Sequence, residues 1–203
     1  MTKVVWGARI RRGAAIGLVL ASISCGTQTR QGTSSSYLII NTLEGASGAD
    51  PGAFGGTLAS DVITVVDGVS TFFGDPGRVG FTLGLKDPGS ASSPTTPTQN
   101  NYITVNRYHV RFLRTDGRNT EGVDVPYAFD GAFTVTVSGD TTVGFTLVRN
   151  QAKQEAPLAA LMVNPIVIST IAEITFYGHD QTGREVTAVG NIGVSFANFG
   201  DPK

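Results

Sequence analysis

The chain has 203 residues, of which 40% are hydrophobic and only 15% are charged, and its formal net charge is −1. A length of this order fits one large domain or two small ones. The absence of a basic excess argues against a nucleic-acid-binding module. Apolar runs recur along the sequence and supply enough surface for a packed core, which excludes disorder throughout.

Residues 1–24 have the pattern of a secretory signal peptide. An uncharged, largely apolar stretch over 13–23 follows a positive start. At about 1.5 Å per residue this stretch covers about half of a ~30 Å hydrocarbon core, so it is too short for a permanent span. We therefore expect export, and removal of this segment leaves 11 basic and 16 acidic residues, a net charge of −5. The basic residues of the positive start are Lys3, Arg9, Arg11 and Arg12.

Cys25 is the only cysteine of the chain, so no intramolecular disulfide can form. It follows Ser22-Ile23-Ser24, and this arrangement resembles the lipobox of bacterial lipoproteins, with Ser22 where that family prefers Leu. The resemblance implies that Cys25 becomes the lipidated first residue of a protein anchored to a membrane of the cell envelope. Ser22 and Ser24 also suit ordinary signal-peptidase cleavage, which leaves a secreted or periplasmic soluble protein. A buried N-terminal helix with an inert thiol is a third interpretation.

The polar segment 25–36 lacks an apolar period and is expected to be a flexible tether. The globular domain is expected over 37–203, mostly with the two-residue period of β-strands. One stretch, 151–161, has a helical pattern, and Pro157 limits it to a turn or two. The segments 45–60 and 87–101, rich in Gly or Pro, are expected to be surface loops. Short apolar or alternating runs predict strands over 37–43, 62–66, 79–85, 102–114, 133–137, 143–147, 172–177 and 186–196.

The alternation changes phase within the run 102–114. Ile103 and Val105 define one phase, whereas Tyr108 and the alternate residues after it define the other. A bulge near Asn106-Arg107, or two strands that meet there, returns the apolar side to the core.

Two hairpins are predicted from the turn residues. One joins 133–137 to 143–147 through Gly139-Asp140, and the other joins 172–177 to 186–196 through a turn containing Gly183.

The fold class that these patterns indicate is all-β: a single antiparallel β-sandwich of about 8–9 strands. It resembles the immunoglobulin-like or fibronectin-like modules of exported bacterial proteins in architecture, without a diagnostic motif. A jelly roll or a small barrel is an open alternative.

Two surface features are candidate binding sites. Arg107, His109 and Arg111 share one strand face and could bind an acidic protein partner or a saccharide acid; alternatively they pair with cross-strand carboxylates on a solvated face. The loop with Asp116, Glu121 and Asp124 concentrates oxygen ligands that suit calcium, although an ordinary polar turn explains it as well. Two separated histidines and one cysteine cannot build a structural zinc site, so no other cofactor is expected.

The sequence gives little support for a catalytic site. The sequence has no G-x-S-x-G elbow. His179 beside Asp180 is expected to be a solvent-facing loop histidine, and Glu173 and Glu185 are expected at offset positions on the last hairpin. We therefore expect a non-enzymatic, exported, lipid-anchored envelope protein that acts as a structural or binding module. The alternatives are a calcium- or carbohydrate-dependent adhesion module and a secreted hydrolase with a loop-built site.

Overall fold

A computed structural model describes residues 33–200, so the signal segment, Cys25 and residues 25–32 of the predicted tether lie outside the described residues. Strand β1 begins at Ser36, and both Ser34 and Ser36 are buried, so the folded domain includes residues before Tyr37. The described strands are β1 Ser36–Gly45, β2 Thr57–Asp61, β3 Thr64–Val66, β4 Val69–Thr71, β5 Asp75–Leu85, β6 Gly89–Ser90, β7 Ser93–Pro94, β8 Ile103–Leu113, β9 Phe129–Val137, β10 Thr141–Val148, β11 Ile168–Asp180 and β12 Glu185–Ala197.

The protein is all-β with antiparallel sheets, as the sequence predicts. One sheet has three strands in the order β1-β5-β10, and another has five in the order β2-β12-β11-β8-β9. The pairs β3-β4 and β6-β7 form small separate ribbons. One pairing departs from the expected antiparallel pattern, because β2 runs parallel to β12.

Strand β8 confirms the predicted phase switch. Its pairing with β9 shifts register between Val105 and Arg107, and its pairing with β11 shifts between Tyr177 and Gly178. Ile103 and Val105 before the bulge and Tyr108 after it are all buried. The extra residue therefore lets one strand keep its apolar side chains in the core across the change of phase.

The C-terminal hairpin is also confirmed. Strands β11 and β12 pair over nearly their whole length, from Ile168 opposite Phe196 to His179 opposite Glu185. Gly183 in the connecting turn has a φ of 82°, a conformation that glycine adopts without steric cost.

The predicted hairpin of β9 and β10 is wrong. Strand β9 pairs with β8 in the five-stranded sheet, whereas β10 pairs with β5 in the three-stranded sheet. The connection through Gly139-Asp140 therefore carries the chain from one sheet to the other. Alternating apolar residues produce one apolar face in either arrangement, so the pattern does not reveal whether two successive strands pair or belong to different sheets.

Two other segments differ from expectation. The predicted buried strand at 62–66 is replaced by a short ribbon in which Val65 and Val66 are exposed, and β2 overlaps the end of the expected loop 45–60. The helical stretch is as short as Pro157 predicts, consisting of the α-helix Asn150–Lys153 and the 3-10 helix Leu158–Met162. Another 3-10 turn, Gln99–Asn101, lies in the expected loop 87–101.

The two larger sheets contribute side chains to one buried cluster. Phe81 of β5 contacts Phe176 of β11 edge to face, with ring centroids 5.0 Å apart and planes at 87°. Tyr108 of β8 contacts Phe145 of β10 at 5.2 Å. Since alternate residues of a strand point to opposite faces, the neighbours of these rings, such as Tyr177 beside Phe176, lie on the outer face of the five-stranded sheet.

Candidate functional site

The outer face of the five-stranded sheet carries an open groove with a volume of about 770 Å³. Most of its side chains come from strands β8, β11 and β12, in two neighbouring rows. In one row Tyr177 lies between Arg107 and Thr187, and in the other His179 lies opposite Glu185. We call the surface formed by Arg107, Tyr177, His179, Glu185 and Thr187 the outer groove.

The β8 bulge separates the two rows and shapes the groove. At this point β11 carries Gly178, and a Cβ atom there would lie 2.5 Å from the Thr104 carbonyl oxygen and 3.0 Å from Val105 Cα. Such distances are shorter than any ordinary van der Waals contact, so a side chain would push β8 and β11 apart. The close backbone approach therefore requires glycine at this position.

Arg107 is the cationic group of the outer groove. Its guanidinium lies over the Tyr177 ring, with 4.3 Å between Cζ and the ring centroid. This contact orients the guanidinium without neutralising its charge. Among residues 33–200 no carboxylate forms an ion pair with Arg107, so its N–H groups can bind an anion.

His179 and Glu185 supply hydrogen-bond acceptors beside this cation. The Nδ1–H of His179 donates to the Asp180 carbonyl oxygen at 3.1 Å, because a carbonyl can only accept. Nε2 is then the acceptor of the neutral imidazole. Glu185 likewise forms no ion pair within the part of the chain that the structure describes.

Asp180 fixes the turn that carries these two residues. Its Oδ1 accepts hydrogen bonds from the backbone N–H of Thr182 and Arg184 and from the Thr182 hydroxyl, at 2.7–3.0 Å. Burial acts to raise the pKa of Asp180, but these hydrogen bonds and the nearby Ser34 hydroxyl outweigh it and hold the pKa below its ordinary value. The carboxylate therefore stabilises the end of the hairpin and, with it, one wall of the groove.

We call the strand face with Arg107, His109 and Arg111 the predicted basic stripe, and its other two residues have carboxylate partners. His109 Nδ1 lies 3.2 Å from Asp130 Oδ1, and Arg111 Nε donates to Glu173 Oε1 at 2.7 Å. Of the three stripe residues, only Arg107 lies in the outer groove.

The residues predicted to bind calcium make other contacts in the structure. Arg114 and Arg118 both donate to Asp116 Oδ2, at 2.7 and 2.9 Å, and these hydrogen bonds hold the pKa of Asp116 well below its ordinary value. Asp124 accepts the backbone N–H of Thr120, and Glu121 takes part in a backbone bridge to Val125. Over residues 33–200 no group of three or more acidic, histidine or cysteine side chains is arranged to hold a metal ion.

The two glutamates of the last hairpin are offset, as expected. Glu173 lies opposite Asn191 and pairs with Arg111, whereas Glu185 lies opposite His179. Sequence reasoning identified Arg107 but missed its association with Tyr177, His179, Glu185 and Thr187. The even spacing of Tyr177 and His179 on one strand face was a visible signal, but its link to Arg107 depends on the β8-β11 register.

A scan against models of known protein families finds no match to this chain, and a search of curated proteins finds no similar sequence. Among the described residues, no helix combines the length and the apolar character that crossing a bilayer requires.

Proposed function

We propose that this chain is an exported, lipid-anchored envelope protein whose β-domain is a binding module rather than an enzyme, with the outer groove as its ligand site. The observation that carries the proposal is that one concave surface contains a cation and a carboxylate, Arg107 and Glu185, neither of which forms an ion pair with any residue of 33–200. Charged side chains of a folded domain commonly pair with opposite charges, as Arg111 does here with Glu173. Concave sites with a few convergent polar groups are the usual form of small-ligand sites.

We further infer that the three- and five-stranded sheets form the two layers of one β-sandwich of the immunoglobulin-like type. The contacts of Phe81 with Phe176 and of Tyr108 with Phe145 join opposite sheets and support this arrangement. The crossing of the chain between sheets after β9 supports it too, since such crossings are typical of sandwiches. The outer groove then lies on an exposed face of the sandwich and remains accessible after anchoring at Cys25.

The ligand proposed for this groove is a small saccharide acid. Arg107 would bind the carboxylate through charge-assisted hydrogen bonds. Nε2 of His179 and the carboxylate of Glu185 are acceptors and would take hydrogen bonds from sugar hydroxyls, while the Thr187 hydroxyl can donate or accept. A neutral sugar would lack the carboxylate that Arg107 binds. A simple carboxylate would lack the hydroxyl groups that donate to His179 and Glu185.

The binding test uses glucuronate as the probe and glucose as its neutral counterpart, measured by titration calorimetry. We expect glucuronate to bind the wild-type protein more tightly than glucose. Arg107→Ala should lower the affinity for glucuronate by at least about tenfold, since a hydrogen bond to a charged group contributes about 1.5–3 kcal/mol.

Arg111→Ala is the matched control, because Arg111 lies on the same strand and face but pairs with Glu173. Arg111→Ala should leave the affinity for glucuronate within about twofold of the wild type, because Arg111 lies outside the groove. Equal affinity for both sugars, or equal losses in the two variants, would contradict the proposed site.

The anchor is tested separately by metabolic labelling with a fatty-acid probe. We expect wild-type protein to incorporate the label and Cys25→Ser to lose it, because the thiol is the proposed attachment point. Equal labelling of both proteins, or no labelling of either, would remove lipidation from the proposal and leave simple secretion.

A further inference from the structure

Far from the outer groove, Lys153 and Asp75 form a fully buried ion pair. The two side chains are 1% and 0% exposed, and Nζ lies 2.8 Å from Oδ1. Lys153 ends the short α-helix that follows β10, and Asp75 begins β5, the central strand of the three-stranded sheet. Two segments 78 residues apart in the sequence are thus in direct contact.

Neighbouring groups hold both side chains in place. Asp75 accepts the backbone N–H of Gly48 at Oδ1, at 2.8 Å, and the Ser60 hydroxyl at Oδ2, at 2.5 Å. Lys153 Nζ also donates to the Asp61 carbonyl oxygen at 2.7 Å. The amine is therefore held 2.8 Å from Oδ1 of the Asp75 carboxyl, and both side chains are buried away from solvent.

Burial favours the uncharged form of this carboxyl. The pKa of Asp75 is raised by desolvation, which outweighs the lowering by Lys153 and by the hydrogen bonds from Ser60 and Gly48. Transfer of one proton from Nζ to Oδ1 along the 2.8 Å hydrogen bond gives a neutral amine beside a neutral carboxylic acid. Such a pair can condense, and the amide that results replaces two buried groups whose charged forms are costly in the interior.

We propose that Lys153 and Asp75 condense in the folded protein to form an intramolecular amide bond. Nζ attacks the carboxyl carbon, the Nζ–Cγ bond forms, and the Cγ–Oδ1 bond breaks. Oδ1 leaves with the acid proton and one amine proton as water, so the step needs neither oxidant nor co-reactant. The Ser60 hydroxyl stabilises the negative charge that develops on Oδ2 in the tetrahedral intermediate. The fixed contact between the two groups replaces an encounter of separate molecules by an intramolecular step.

This bond would give the domain a covalent cross-link, which its cysteine content does not provide. The only cysteine lies at position 25, so residues 33–200 have no disulfide. Exported domains commonly gain stability from covalent links, which restrict the unfolded chain. An amide between β5 and the segment after β10 would restrict a long loop in the same way, and its burial shields it from hydrolysis.

The test is mass spectrometry of a tryptic digest of the denatured full-length protein. We expect one branched species in which residues 31–78 are joined to residues 150–184, with a mass lower by one water than the sum of the two peptides. Trypsin should fail to cleave after Lys153, because an amide-linked lysine is not a substrate.

Lys153→Arg is the control, since it keeps the positive charge but lacks the primary amine. Its digest should contain the peptide 31–78 unmodified and a cleavage after position 153. The wild-type digest shows whether the amide bond forms even if the variant folds poorly. Unmodified 31–78 together with complete cleavage after Lys153 in the wild type would overturn the proposal.

Discussion

Gly178 is the residue on which the shape of the outer groove depends. It lies at the register shift between β8 and β11, where the two backbones approach too closely for a Cβ atom. The bulge itself is visible in the sequence, because the apolar phase changes between Val105 and Tyr108. The need for glycine on the facing strand is not visible, because it depends on the position of the Thr104 carbonyl oxygen.

Gly178→Ala should destabilise the protein by about 1–3 kcal/mol, since the added methyl group must displace the β8 backbone. Urea unfolding monitored by circular dichroism measures this difference. Gly193→Ala, in the neighbouring strand β12, is the control, because a Cβ there makes only an ordinary contact of 3.6 Å with Thr57. Equal unfolding midpoints for the two variants would show that the close approach at Gly178 does not constrain the fold.

At the scale of an element, the hairpin of β11 and β12 depends on one buried carboxylate in its turn. Because the pKa of Asp180 is lower in the folded protein than the ordinary 3.8, its ionised form favours folding. This contribution is complete above the pKa of the unfolded chain and is lost as the pH falls through the folded-state pKa. The turn is therefore predicted to weaken in acid.

Asp180→Asn should lower the unfolding free energy at pH 7 by about 1–3 kcal/mol, because a neutral amide accepts the hydrogen bonds less strongly. At about pH 2, below the ordinary pKa of 3.8, part of the contribution of the ionised carboxylate is lost, so the difference between the proteins should shrink. Chemical unfolding at both pH values measures this, with the exposed Glu155→Gln as a control for removing one negative charge. A difference that stays constant between the two pH values would rule out this role for the ionised carboxylate.

The two predicted hairpins show which features of an element can be predicted from alternation and turn residues. For β11 and β12, a turn containing Gly183 at positive φ and matched alternation on both sides predicted the pairing correctly. For β9 and β10 the alternation was equally clear, but Gly139 does not adopt a positive φ and the chain crosses to the other sheet. Alternation indicates which side chains of a strand face the core. The sheet that receives the strand depends on partners distant in the sequence.

At the scale of the whole molecule, the fold class could be predicted from the sequence, whereas the site could not, because it depends on which strands are neighbours. Local periodicity was sufficient for the all-β class and for most buried positions, because burial alternates within each strand. The candidate site needed the order β12-β11-β8, which brings Glu185, Tyr177 and Arg107 together from three strands. The predicted basic stripe contained one of these residues, but it also contained His109 and Arg111, whose carboxylate partners depend on the strand register.

The central claim is that the outer groove binds a carboxylate-bearing sugar, and two-dimensional NMR of the isotope-labelled protein tests it most directly. On addition of glucuronate, the amide signals of Tyr177, His179, Glu185 and Thr187 should shift together and saturably, whereas those around Asp116 should stay in place. No saturable shift at these four residues, or shifts centred on another part of the surface, would contradict the account.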